Sequence, residues 1–120
     1  MGKQILIVDD SPSMRQMVNF TLSEDGYEVV EADGGQAALA KMGDALKLVI
    51  TDINMPGMTG IELIKAMRAG EKTKFIPVVV LTTESDAGKQ AEGKAAGATA
   101  WLVKPFTPDK LKETVKRVIG

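Results

Sequence analysis

The chain has 120 residues, a formal charge of −1, and neither cysteine nor histidine, a length suited to a single domain spanning residues 1–120. Without those two residue types there is no disulfide framework, thiol nucleophile, zinc–thiolate centre, Ser-His-Asp triad or imidazole metal ligand. Fifteen Lys and Arg against sixteen Asp and Glu leave no basic footprint for nucleic acid, and no apolar run approaches the length that crosses a bilayer.

The amino terminus Met1-Gly2-Lys3-Gln4 leads into a strand rather than a signal peptide, so a cytoplasmic location is expected. Gln4–Val8 is apolar without alternation, as befits a strand covered on both faces. Ser11 before Pro12 reads as N-cap and first helical position, with Met14, Met17, Val18 and Thr21 at helical spacing and Gly26 as the stop. A strand over 28–31 follows. Asp33 is the expected cap of a second helix reaching Met42, which turns Ala38, Leu39 and Met42 inward before Gly43 ends it.

A third strand is predicted over 47–51. Thr59 and Glu62 then form a capping box for a helix striped by Ile61, Ile64 and Met67 and closed by Gly70. The fourth strand, 77–82, again runs apolar without alternation. The helix after it, roughly 86–96, contains Gly88 and Gly93 and draws its apolar content almost entirely from alanine. At about 1 kcal/mol for each interior glycine it is expected to be soft. A strand over 99–103 precedes Thr107-Pro108, which repeats the cap-plus-proline device for a last helix with Leu111, Val115 and Val118 on its inner face.

Strict alternation of strand and helix predicts βαβ units: an α/β, three-layer (βα)5 doubly wound parallel sheet whose ligands gather beyond the carboxyl ends of the strands. At those ends stand Asp9-Asp10, Thr51-Asp52, Thr82-Thr83 and Lys104-Pro105. Carboxylates about 5 Å apart repel by roughly 3 kcal/mol per pair at an effective dielectric near 20. Lys104 offsets part of this as a point charge. A hard divalent cation, Mg²⁺ or Mn²⁺, offsets more, because carboxylate, carbonyl and water oxygens are the ligands it prefers. Either Asp9 or Asp10 alone reads better as a turn former before a helix N-terminus; the full set argues for a site.

Asp9-Asp10, the run Asp52-Ile53-Asn54-Met55-Pro56-Gly57-Met58-Thr59-Gly60, Leu81-Thr82 and Lys104-Pro105-Phe106 together resemble the motif set of response-regulator receiver domains. These are the phosphate-accepting partners of sensor histidine kinases, and the likeness is greatest to single-domain chemotaxis members of the CheY type. It covers essentially the whole chain. The resemblance implies a flavodoxin-like fold with strand order 2-1-3-4-5 and makes Asp52 the nucleophile that takes a phosphoryl group from a phosphohistidine. By the same resemblance Asp10, Asp52 and the backbone carbonyl of Asn54 hold Mg²⁺ directly and Asp9 holds it through water, while Lys104 and Thr82 contact phosphoryl oxygens.

Asn54 and Glu84 fall where the family tunes loss of phosphate, and their polarity implies a short-lived phosphorylated state. The switch aromatic falls on Trp101, where Tyr or Phe is more usual, and Thr83 stands where many receivers carry alanine or glycine. The Lys104-Pro105 peptide is implied to be cis. Met55-Pro56-Gly57 reads as a tight turn, the seven methionines as adaptable core filler, and Gly70-Glu71-Lys72-Thr73 lacks the spacing of a phosphate-binding loop.

Only about one helix follows Lys104, so signal is expected to leave by protein contact. The expected surface combines the fourth helix, fifth strand and fifth helix, with Lys89, Lys94 and Lys110 among its charges. The implied partners are a sensor histidine kinase and a downstream protein, the flagellar motor switch or another signalling protein, with the chain itself a monomer. Such a phospho-acceptor catalyses only its own phosphorylation and dephosphorylation. Two rival readings are a Mg²⁺-dependent phosphohydrolase with an aspartyl nucleophile and a receiver-fold binding module that works unphosphorylated. The first usually shows D-x-D on its first strand, unlike the adjacent Asp9-Asp10 here; the second leaves the intact acidic set without a purpose.

Overall fold

The computed structural model describes residues 3–83 and 87–120, without the side chains of Ala87 and Lys89. In chain order the elements are β1 (Gln4–Val8), α1 (Pro12–Ser23), β2 (Glu28–Ala32), α2 (Gly35–Ala40), β3 (Leu46–Asp52), α3 (Gly60–Ala69), β4 (Val78–Thr82), α4 (Ala87–Ala96), β5 (Ala100–Val103) and α5 (Pro108–Ile119). All strand pairs are parallel, and the sheet order is β2-β1-β3-β4-β5. This is the doubly wound, flavodoxin-like arrangement anticipated above.

Alternation along each strand sorts the core into two layers. Ile5, Ile7, Leu48, Ile50, Val79 and Leu81 face α1 and α5, where they meet Val18, Leu22, Leu111 and Val115. Leu6, Val8, Val49, Val78 and Val80 face the other way, against Ala38 of α2 and Leu63, Ile64 and Met67 of α3. Because both faces are covered, the strands are apolar at successive positions. The chain leaves β1 for one face and β3 for the other, so a crevice opens between their carboxyl ends, the usual place for a ligand in this topology.

The caps read from sequence are present at three helices. Ser11 accepts from Met14 N–H, Thr59 and Glu62 form the reciprocal capping box, and Thr107 accepts from Lys110 N–H. Gly26 takes a positive φ of 88° just beyond α1, which favours glycine there.

The second helix departs from expectation. Gly34, not Asp33, is its N-cap, with an extended backbone and no side-chain cap. The next residue, Gly35, is closely packed: a Cβ there would lie 2.6 Å from Met58 Sδ, so any larger residue would displace the Met58 side chain. The helix ends at Ala40 rather than Met42, since Lys41 and Met42 donate to Ala38 and Leu39, three residues back, and tighten the last turn.

Strand ends shift by one residue for equally local reasons. Pro77 has no N–H to give the ladder and only accepts, from Val49. Thr99 lies outside β5 but still donates to the Val78 carbonyl and accepts from Val78 N–H on its Oγ1. β2 extends to Ala32, and β3 reaches one residue further at each end, so that Asp52 belongs to the strand and pairs with Leu81. Leu63 is fully buried on α3 although it was outside the predicted stripe. Among the described residues, no helix is long and apolar enough to cross a membrane.

Candidate functional site

The last residue of β3 and the first after β1 build the crevice. Asp52 is held by its ladder pairing and by Gly60, which packs so closely beneath it that a Cβ there would lie 2.5 Å from the Asp52 carbonyl oxygen. Asp9 continues the β1 ladder by donating its N–H to the Ala32 carbonyl at 3.1 Å. Its side chain accepts from Ser11 N–H at 2.9 Å, and its own carbonyl accepts from Arg15 Nη1 at 2.6 Å. Both carboxylates are buried, Asp9 at 1% exposure and Asp52 at 7%, whereas Asp10 is exposed.

Lys104 enters from the end of β5. Its Nζ lies 3.2 Å from Asp9 Oδ2 and 3.3 Å from Asp52 Oδ2, so one ammonium bridges two buried carboxylates. The other Asp52 oxygen, Oδ1, accepts from Asn54 N–H at 3.3 Å. Burial pushes the Asp52 carboxyl above its ordinary value, opposed by Lys104 and the Asn54 N–H and reinforced by Asp9. One ammonium among three acidic groups leaves the crevice short of positive charge.

The donor set fits a hard dication. One oxygen each from Asp9, Asp10 and Asp52 lies within 4.8 Å of the others. Oxygens on opposite sides of Mg²⁺ stand about 4.2 Å apart, given ligand distances near 2.1 Å. With three carboxylates and no soft ligand in the cluster, the crevice suits magnesium or manganese chemistry over zinc or copper.

The remaining sequence candidates fall around this core. Thr82 ends β4, is buried, and accepts on its carbonyl from Lys104 N–H at 2.6 Å. It lines a small cavity with Ile53, Val80, Gln90, Gly93 and Trp101, which brings the half-buried Trp101 ring and the inner side of α4 to the same space. Asn54 is exposed at the mouth, and Thr83 is exposed beyond β4. Glu84 lies outside the described residues. The Lys104-Pro105 peptide is cis.

Sequence reasoning missed Arg15, and it gave Gly60 only as the last residue of the Asp52–Gly60 motif without its packing against Asp52. Arg15 also donates to Glu31 at 3.2 Å, and Glu31 accepts from Asn19 as well, so the Asp9 carbonyl is tied to β2 by a short polar network. Its place one turn into the helix after Asp9-Asp10 was the available signal. For Gly60 the signal was a glycine directly after the Thr59 cap.

A family profile described as the response regulator receiver domain matches residues 5–116. The chain belongs to the response-regulator receiver-domain family. It is 44% identical to the chemotaxis protein CheY1 of Helicobacter pylori over 98% of its length and 97% of the relative's. Chemotaxis protein CheY4 of Vibrio cholerae superposes with a TM-score of 0.93 at 51% identity, covering 98% of this chain and 99% of that one. A third neighbour is the receiver domain of a sensor histidine kinase from Pseudomonas aeruginosa, described with a magnesium ion coordinated in its active-site cleft. Its TM-score is 0.90 at 27% identity, with coverage of 100% and 99%. This receiver domain is therefore CheY-like in sequence and fold, and receiver domains are signalling proteins rather than classical enzymes.

Proposed function

We propose that residues 1–120 act as one receiver domain that accepts a phosphoryl group on Asp52 from a sensor histidine kinase and passes the signal on by binding a partner protein. The observation that carries this reading is the shared ammonium: Lys104 Nζ holds the Asp52 carboxylate beside Asp9 at the carboxyl edge of the sheet.

Asp52 attacks as an anion. Its free oxygen pair forms the new O–P bond, the P–N bond of the phosphohistidine breaks, and the imidazole leaves with that electron pair. Hydrolysis of the resulting acyl phosphate returns the carboxylate and releases inorganic phosphate. Lys104 and the Asn54 N–H favour the ionised Asp52 against the cost of burial, so no separate base is needed. Lys104 also neutralises charge on the phosphoryl oxygens, and the Thr82 hydroxyl hydrogen-bonds one of them once the group is attached. Asp10, Asp52 and the Asn54 carbonyl would hold Mg²⁺, or Mn²⁺, directly, and Asp9 through water. The dication would supply charge neutralisation at the transferred group when bound.

In this reading Asn54 and Glu84 orient the water that removes the phosphate. Thr82 and Trp101 form the switch, drawing on the cavity they share with α4. The α4–β5–α5 face is the output surface. Lys94 and Lys110 lie exposed on it, Lys110 3.8 Å from Glu113, whereas the Lys89 side chain is outside the described residues. Its occupant is a chemotaxis protein such as the flagellar motor switch, or another signalling target, and the domain works as a cytoplasmic monomer. The CheY relatives support this choice of pathway.

Incubation with acetyl phosphate and Mg²⁺ tests the reading by intact mass. The wild type is expected to gain one labile phosphate that Asp52→Asn does not. Equal labelling of the variant would move the acceptor elsewhere.

A further inference from the structure

α4 is a weakly rooted helix. It holds Gly88 in its first turn and Gly93 in its interior, and among its side chains described only the position of Gly93 is buried. Gly93 does not require the space: a Cβ there would meet Ala98 and Ile61 no closer than 3.8 Å, ordinary contact. What the helix lacks in buried side chains it recovers at its carboxyl end. Gly97, at φ 113°, donates to Gly93 and Lys94 carbonyls, and Ala98 N–H returns to Gly93 at 2.8 Å. This closes the helix in a glycine-terminated turn.

One side chain grips that turn from outside. Arg68, on the last turn of α3, donates to the Gly97 carbonyl from Nε at 3.2 Å and from Nη2 at 2.7 Å. Its Nη1 donates to the carbonyls of Ile76 at 2.8 Å, Lys74 at 3.1 Å and Thr73 at 3.4 Å. A single planar fork thus joins the end of α4 to the segment between α3 and β4. The approach is close enough that a Cβ on Gly97 would lie 2.8 Å from Arg68 Nε.

We propose that Arg68 is a positioning residue that pins the carboxyl end of α4 to α3 and so keeps Gln90 and Gly93 as the wall of the cavity shared by Thr82 and Trp101. Burial of the guanidinium works against its charge, and the carbonyl oxygens it faces at a helix end favour a cation there. Lysine is a poor substitute, because its single nitrogen cannot reproduce the spread of Nε, Nη1 and Nη2 donors that reaches the Gly97 carbonyl and the carbonyls of 73–76 together. The pinning is a property of the chain before any phosphoryl transfer and is independent of the function proposed for Asp52.

Hydrogen exchange on the unphosphorylated full chain tests it, with Arg68→Lys and Gly97→Ala as paired variants. Hydrogen bonds to a charged group are strong enough that losing the grip on Gly97 is expected to speed exchange over 90–98 about tenfold or more. β1 and α1 should keep wild-type rates. Arg68→Lys is also expected to loosen 70–76, while Gly97→Ala, which breaks the contact from the other side, should leave 70–76 protected. The emission of Trp101, the only tryptophan, should shift in both variants. Unchanged exchange over 90–98, equal acceleration throughout the chain, acceleration confined to 70–76, or unaltered Trp101 emission in both variants would each overturn the proposal.

Discussion

α4 and α5 flank the same edge strand and are nearly equal in length, yet they are held in opposite ways. α5 is capped by Thr107, carries Asp109 in its first turn and Lys116 and Arg117 in its last, and buries Leu111, Thr114 and Val115. Lys112 further ties it to Glu24 and Asp25 just past α1, at 3.5 and 3.6 Å. α4 buries only a glycine among its described side chains and is gripped just past its end by Arg68, which donates to the Gly97 carbonyl. Local stability follows buried apolar contact, so the same sheet presents one rigid and one yielding wall around β5. The yielding wall borders Thr82 and Trp101.

The comparison is broken most severely at its rigid side. Leu111 is fully buried in α5, and Leu111→Ala is expected to lower stability by about 2–5 kcal/mol in equilibrium denaturation. A loss below 1 kcal/mol would mean that α5 is as loosely held as α4. Gly60→Ala comes next, since its Cβ meets the Asp52 carbonyl. A cost of about 1–3 kcal/mol is expected, as for overpacking, together with weaker Mg²⁺ binding by calorimetry. Wild-type affinity would show that the backbone under Asp52 yields freely.

A gain is expected from Asp52→Asn in metal-free protein. Burial raises the folded-state pKa of Asp52 above its ordinary 3.8, so the protonated form is favoured in the fold. That contribution is complete below the unfolded value and is lost as pH rises through the folded one. At neutral pH the ionised carboxylate therefore costs stability, and the variant should melt higher, with the difference shrinking in acid. Added Mg²⁺ should raise the melting temperature of the wild type more than that of the variant. An equal or lower metal-free melting temperature at pH 7 would mean that Lys104 outweighs burial. The smallest change sharpens the contrast from the soft side: Gly93→Ala should add about 1 kcal/mol by helix propensity, read as a higher melting temperature, whereas a loss would show that Gly93 is needed for packing.

Much of this was legible because it is local. Ser11, Thr59 and Thr107 cap helices through bonds spanning three residues, and unbroken apolar strands announce a sheet covered on both faces. The convergence of Asp9, Asp10, Asp52 and Lys104 followed from strand ends in a parallel sheet, with the register supplied by family resemblance. What escaped was set by distant packing. Gly34 rather than Asp33 caps α2, and Met58, far along the chain, packs against Gly35 at the start of that helix. Arg68 binds a carbonyl 29 residues away, and no spacing rule connects an arginine to a backbone oxygen.

The central claim concerns one oxygen of one side chain, and chemical trapping addresses it directly. After acetyl phosphate and Mg²⁺ treatment, borohydride reduces an aspartyl phosphate to homoserine, and peptide sequencing by mass spectrometry locates the change. Homoserine at position 52 alone is the predicted result. Homoserine at position 9 or 10 instead, or none at any position in protein that has gained phosphate, would contradict the account.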